Sequence, residues 1–107
     1  MVKAHPRYST EEVARLVVEG RMSSARTVVS FLTNHDYDAS EVSAQLLSTL
    51  ESRGEFVKSL ELKSGVVTDV YRVLYDPDST EWYVKFYVDD DEQLVVLLSC
   101  WWDGCAH

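Results

Sequence analysis

Three short segments of this chain carry cations and tyrosines inside otherwise apolar, strand-like sequence: Phe56-Val57-Lys58-Ser59, Asp69-Val70-Tyr71-Arg72 and Trp82-Tyr83-Val84-Lys85. Taking such groups out of water costs free energy unless they meet a partner. Strand alternation puts Arg72, Tyr83, Lys85 and Tyr87 on one face, and Val67, Val73, Trp82, Val84, Phe86 and Val88 on the other, which reads as core. If the loop from Asp76 to Glu81 sets Tyr75 beside Trp82, Arg72 faces Lys85 directly. Like charges so placed destabilise a sheet by a few tenths to about one kcal/mol, and an anion such as a phosphate between them removes the conflict. The alternative is that both side chains splay into water and rest their stems on Tyr83 and Tyr87. Lys58 joins this face if the first hairpin closes through a three-residue loop, and the opposite face if the loop has two.

The elements that must position these residues fall into two halves. Ser9-Thr10-Glu11-Glu12 forms a capping box, followed by Val13, Leu16 and Val17 at helical spacing and by Gly20 as a stop. A second amphipathic segment carries Ala25, Val28, Val29 and Leu32, and a third opens with Asp38 and Glu41 before Val42, Leu46, Leu47 and Leu50. Ser52-Arg53-Gly54 ends the helical half, and period-2 patterns then predict strands over 55–62, 66–75, 82–88 and 93–101. Short links make consecutive strands antiparallel. The expected fold is α+β: one domain over 1–107, with helices in 9–51 packed on one face of a four-stranded antiparallel sheet in 55–102.

Composition narrows the function classes. The chain has 107 residues, with 18 acidic against 10 basic side chains and a formal net charge of −8. A protein that lives on phosphate contacts is normally basic, so the charge speaks against a nucleic-acid partner. Its distribution is uneven, however. Residues 55–107 hold eleven acids and four bases, and seven of those acids lie in two turns, Asp76, Asp78 and Glu81 at one end of the third strand and Asp89 to Glu92 at the other. The middle of that strand is left locally basic. The acidic turns read as solubility elements, or as a docking surface for a basic partner.

No apolar run exceeds Leu94–Leu98 and no charged leader precedes one, so neither a membrane span nor a signal peptide is expected, and the chain reads as cytoplasmic. Cysteines there stay reduced. Cys100, Cys105 and His107 form Cys-x4-Cys-x-His, three soft ligands where a structural zinc site normally takes four. His5, His35 and His107 all lie outside the strands and read as surface residues. Trp101 and Trp102 point opposite ways along a strand whose apolar run implies cover on both faces, so the reading is core packing for both, or one in the core and the other available for stacking a base or filling a partner's pocket.

The order and spacing of Phe-x-Lys-Ser, Asp-Val-Tyr-Arg and Tyr-x-Lys, after an opening with Pro6, Leu16-Val17 and Gly20, resemble the motility quorum-sensing regulator (MqsR) toxins. These are small bacterial endoribonucleases, held by a cognate antitoxin, that cut messenger RNA. The resemblance spans most of the chain and implies a RelE-like RNase toxin type of fold, single-stranded mRNA as substrate, an antitoxin as partner, and no cofactor. Lys58 and Tyr83 match catalytic positions of the toxins; Thr68 stands where they carry a glutamine and Trp101 near where they carry a lysine. With Arg72 and Lys85 these give the expected catalytic set Lys58, Thr68, Arg72, Tyr83 and Lys85, and Tyr71, Tyr87 and Trp101 are the expected substrate-binding aromatics.

Such cleavage needs a base for the ribose 2′-hydroxyl, a proton donor for the leaving 5′-oxygen, and fixed positive charge for the crowded phosphate. An ordinary phenol holds its proton to about pH 10, so Tyr83 needs a neighbouring lysine to act as base. Thr68 keeps a hydrogen-bonding group, whereas Trp101 replaces a charge with a ring. Trp102, Asp103, Cys105 and His107 extend past the usual end of the toxins and offer substitutes. Two other classes stay open: a catalytically silent relative that binds a protein partner, and a metal-dependent switch built on the cysteine–histidine tail.

Overall fold

The computed structural model describes residues 2–3, 5–75, 77 and 79–102. Ser9 begins the helical half as expected. Its hydroxyl accepts the Glu12 N–H at 3.3 Å, and helix α1 runs over Thr10–Val18 with Val13, Leu16 and Val17 buried. Arg15 bridges Glu12 and Glu19 on its outer side. Asp38 caps α3 (Ala39–Ser48) in the same way, accepting the Glu41 N–H at 3.0 Å. Between them lies α2 (Arg26–Asn34), and a single turn, α4 (Leu50–Arg53), closes the half. There is no linker after it. A Cβ on Gly54 would stand 2.5 Å from the Leu50 carbonyl oxygen, so only glycine lets the chain leave α4 directly into a strand.

Among the described residues the sheet has six strands: β1 (Val2–Lys3), β2 (Met22–Ser24), β3 (Gly54–Glu61), β4 (Val67–Tyr75), β5 (Thr80–Asp89) and β6 (Leu94–Trp102), in the spatial order β1-β3-β4-β5-β6-β2. Its centre is the antiparallel meander β3 to β6 that the period-2 patterns predict. The expectation of a four-stranded, wholly antiparallel sheet is corrected at both edges. β1 adds an antiparallel pair on β3, and β2 lies parallel to β6. Two and three residues are too short for an alternation to show, which is why neither edge was readable.

The helices cover one face. Tyr71, Val73, Trp82, Val84 and Phe86 from that face form one buried cluster with Val13, Leu16, Leu32, Leu46 and Leu47 from the helices. At its centre Trp82 is fully buried, with the rings of Tyr37, Tyr75 and Trp102 set edge-on at 5.4, 6.1 and 5.5 Å. Its indole N–H has no hydrogen-bond acceptor among the described residues. The buried carboxylate of Asp69, also on the helix side, accepts the N–H groups of Arg7 and Tyr8 at 2.9–3.0 Å, while the Tyr8 hydroxyl donates to the Val67 carbonyl at 2.6 Å. These bonds tie the segment that leads into α1 to β4.

Candidate functional site on the open face of the sheet

Which side chains reach the uncovered face is decided by two turns and two bulges. In the β3–β4 hairpin the Leu62 N–H donates to the Val66 carbonyl at 2.8 Å, leaving Lys63-Ser64-Gly65 as a three-residue loop with Gly65 at φ +90°. This is the loop length that brings Lys58 to the face of Arg72, and Lys58 pairs with Val70. Beyond it the register shifts at Val57, so that Phe56 turns inward against the Tyr71 ring and Glu55 comes to pair with Arg72 on the open side.

The β4–β5 turn corrects the expected register. β5 begins at Thr80, two residues earlier than read, so Tyr75 pairs with Thr80 and Arg72 with Tyr83, not with Lys85. The slip is by two residues, and faces are therefore preserved. Lys85 pairs with Val70 on one side and Ser99 on the other, and the register of β5 against β6 shifts immediately beyond it. A row Lys58, Val70, Lys85, Ser99 thus crosses the open face, with a bulge on each outer strand beside it. Next to it runs the row Glu55, Arg72, Tyr83, Trp101.

Four of the expected residues meet. Lys58, Tyr83, Lys85 and Trp101 line a single depression of about 220 Å³ floored by Val70 and flanked by Leu60 and Val57. Tyr83 and Trp101 stack with ring centroids 5.4 Å apart and planes at 18°. Adjacent strands lie about 4.8 Å apart, so the Lys58 and Lys85 backbones are roughly 10 Å apart and their arms can converge on one anion. The repulsion between unit charges at that spacing in water is only about 0.4 kcal/mol, too little to require an anion. What distinguishes the pair is that no carboxylate lines the depression, and neither lysine has an ion-pair partner among the described residues.

The other expected residues lie elsewhere. Arg72 is flanked by Glu81 at 3.3 Å and Glu55 at 3.8 Å, so its charge is answered within the protein, and the phosphate expected between Arg72 and Lys85 loses its place. Thr68 is fully buried and its hydroxyl donates to the Leu60 carbonyl at 3.0 Å. Tyr87 lines a separate depression at the end of the sheet, with Arg7, Tyr8 and Asp89 to Asp91. Tyr71 is corrected outright: it alternates with Arg72, faces the helices and is 4% exposed, and burial raises its phenol pKa. Sequence reasoning missed Glu55 as a partner of Arg72, because the Val57 bulge that aligns them leaves no compositional trace.

Trp102 is the core member of the tryptophan pair and Trp101 the open-face member. Cys100 pairs with Val84 on the core side, where burial pushes its thiol up to about 12. Asp103, Cys105 and His107 lie outside the described residues, as do Asp76 and Asp78. Among the described residues no group of three or more His, Cys, Asp or Glu side chains could hold a metal ion. No helix among them is long and apolar enough to cross a membrane.

Comparison of the chain with protein families and with curated proteins finds no match. The resemblance to the toxins therefore rests on the short strand motifs, beside which the geometry of the open face stands as a separate observation.

Proposed function

We propose that the open face of the sheet binds single-stranded mRNA and cleaves it, and that the protein is a cytoplasmic, toxin-like endoribonuclease neutralised by a cognate antitoxin. The observation that carries this reading is the convergence of Lys58, Lys85, Tyr83 and Trp101 on one carboxylate-free depression in a chain whose net charge is −8. A single-stranded nucleic acid asks for that combination, cations for the phosphate and exposed rings for the bases.

In the reaction, the ribose 2′-hydroxyl loses its proton and its oxygen attacks the adjacent phosphorus. The bond from phosphorus to the 5′-oxygen breaks, that oxygen takes up a proton, and a 2′,3′-cyclic phosphate remains. Lys58 and Lys85 stabilise the charge that accumulates on the non-bridging oxygens. Tyr83, two residues from Lys85 on the same face of β5, is the proton-transfer group. Arg72, held by Glu55 and Glu81, positions Tyr83, its direct cross-strand neighbour, and Thr68 supports the strand pairing under the site.

The test is cleavage of a long single-stranded RNA by the purified protein, with 5′ ends mapped. Lys58→Ala and Tyr83→Phe are expected to lower the rate at least a hundredfold with melting temperature unchanged; full activity in both removes the site assignment. A second reading has its own support, because internal bonds occupy Arg72 and Thr68. A silent relative would form a stable complex with a protein partner and leave RNA intact.

A further inference from the structure

We infer that this site continues past Trp101 into a slot for one nucleobase, so that the RNA is gripped on both sides of that ring. The inference rests on the RNA-binding reading and specifies which part of the substrate each side takes. Trp101 is a wall shared by two depressions. One is the lysine-lined depression; the other, of about 210 Å³, is bounded by Thr27, Val28, Phe31, Ser99 and Cys100. The second arises from the topology. β2 pairs with β6 only from Met22 opposite Val95 to Ser24 opposite Leu97, after which the chain turns at Ala25 into α2. Beside residues 99–101 the neighbour of β6 is thus helix α2, which leaves a gap that a continued strand would have filled.

The two sides of the ring differ in chemistry. The lysine side supplies positive charge and suits a phosphate. Among the described residues no charged side chain lines the other side, which offers Thr27 and Ser99 between apolar walls, and burial keeps the Cys100 thiol protonated. An anion gains nothing there, whereas a flat, uncharged ring with donors and acceptors along its edge is well matched. Tyr83 already stacks on one face of Trp101, so a base in the slot extends that stack while its own strand's phosphate reaches Lys58 and Lys85. Thr27, exposed in the first turn of α2, and Ser99, cross-strand from Lys85, are the groups placed to read the base edge.

The experiment measures binding of a labelled hexaribonucleotide by fluorescence anisotropy, with an abasic residue placed at each position in turn. In the wild type one position is expected to show about a tenfold loss of affinity, the size of losing one stacked base. That loss disappears in Trp101→Leu and falls below threefold in Thr27→Leu, a surface change with unaltered melting. Lys58→Ala weakens every oligonucleotide alike and keeps the position-specific loss. A flat abasic profile in the wild type, or a loss that survives in both Trp101→Leu and Thr27→Leu while Lys58→Ala still weakens binding, overturns the slot and leaves the RNA-binding reading standing. Failure of the wild type to bind any of the oligonucleotides at low salt removes both.

Discussion

The two faces of the sheet are made by the same alternation yet treat their polar groups in opposite ways. On the helix side the buried carboxylate, Asp69, meets the N–H groups of both Arg7 and Tyr8, and the rings around Trp82 fill the space. On the open side Val70 is 5% exposed with no helix above it, while Lys58 and Lys85, in register on either side of it, have no partner among the described residues. The difference separates groups kept for the fold from groups kept for something outside it. Arg72 and Thr68 stand on the open face but belong energetically with the first kind, since their bonding capacity is used internally.

That contrast breaks if mutations on the two faces cost the same. The largest effect is expected from Trp82→Ala, which empties the centre of the aromatic cluster and should lower unfolding free energy by about 3–5 kcal/mol in chemical denaturation. Asp69→Ala comes next: it removes the buried acceptor of the part-buried Arg7 and Tyr8 N–H groups and frees the segment before α1, a loss of about 1–2 kcal/mol, with increased hydrogen exchange at Arg7 and Tyr8 as the local signature. At the other end, Lys58→Ala and Lys85→Ala should each shift stability by less than about 0.5 kcal/mol while weakening RNA binding whatever the sequence. If either lysine proves necessary for the fold, the open face is not the functional one.

Much of the fold was legible because it is written in caps and periods. Ser9 and Asp38 mark helix starts by the hydroxyl and carboxylate they offer to N–H groups three residues on. The four long strands announce themselves by alternation, and the face assignment of Tyr83 and Lys85 survived a wrong register because the error was even. What could not be read depends on geometry without composition. β2 is too short for a pattern, and the Val57 and Leu98 bulges insert a residue without altering its type. Tyr71 departs from its expected place for a different reason: alternation splits a contiguous motif such as Asp-Val-Tyr-Arg between two faces, so Tyr71 and Arg72 cannot serve the same one. The pairing of Arg72 with Glu55 joins residues seventeen apart in sequence through a bulge, beyond any local rule.

Exposed turns are usually where a chain tolerates a change of length. The Lys63-Ser64-Gly65 loop inverts that rule. Were the same chain to close through two of these residues, with Leu62 opposite Gly65, the bulge at Val57 would dissolve, Gly54 to Phe56 would stay paired as before, and nothing about the hairpin's composition or apparent quality would change. Yet Lys58 would then stand opposite Asp69 and point among the helices. The sidedness of the cation is thus counted out by the length of a surface loop more than a dozen ångströms along the strand, about 3.4 Å per residue, which makes an unremarkable stretch of polar sequence the least negotiable spacing in the molecule.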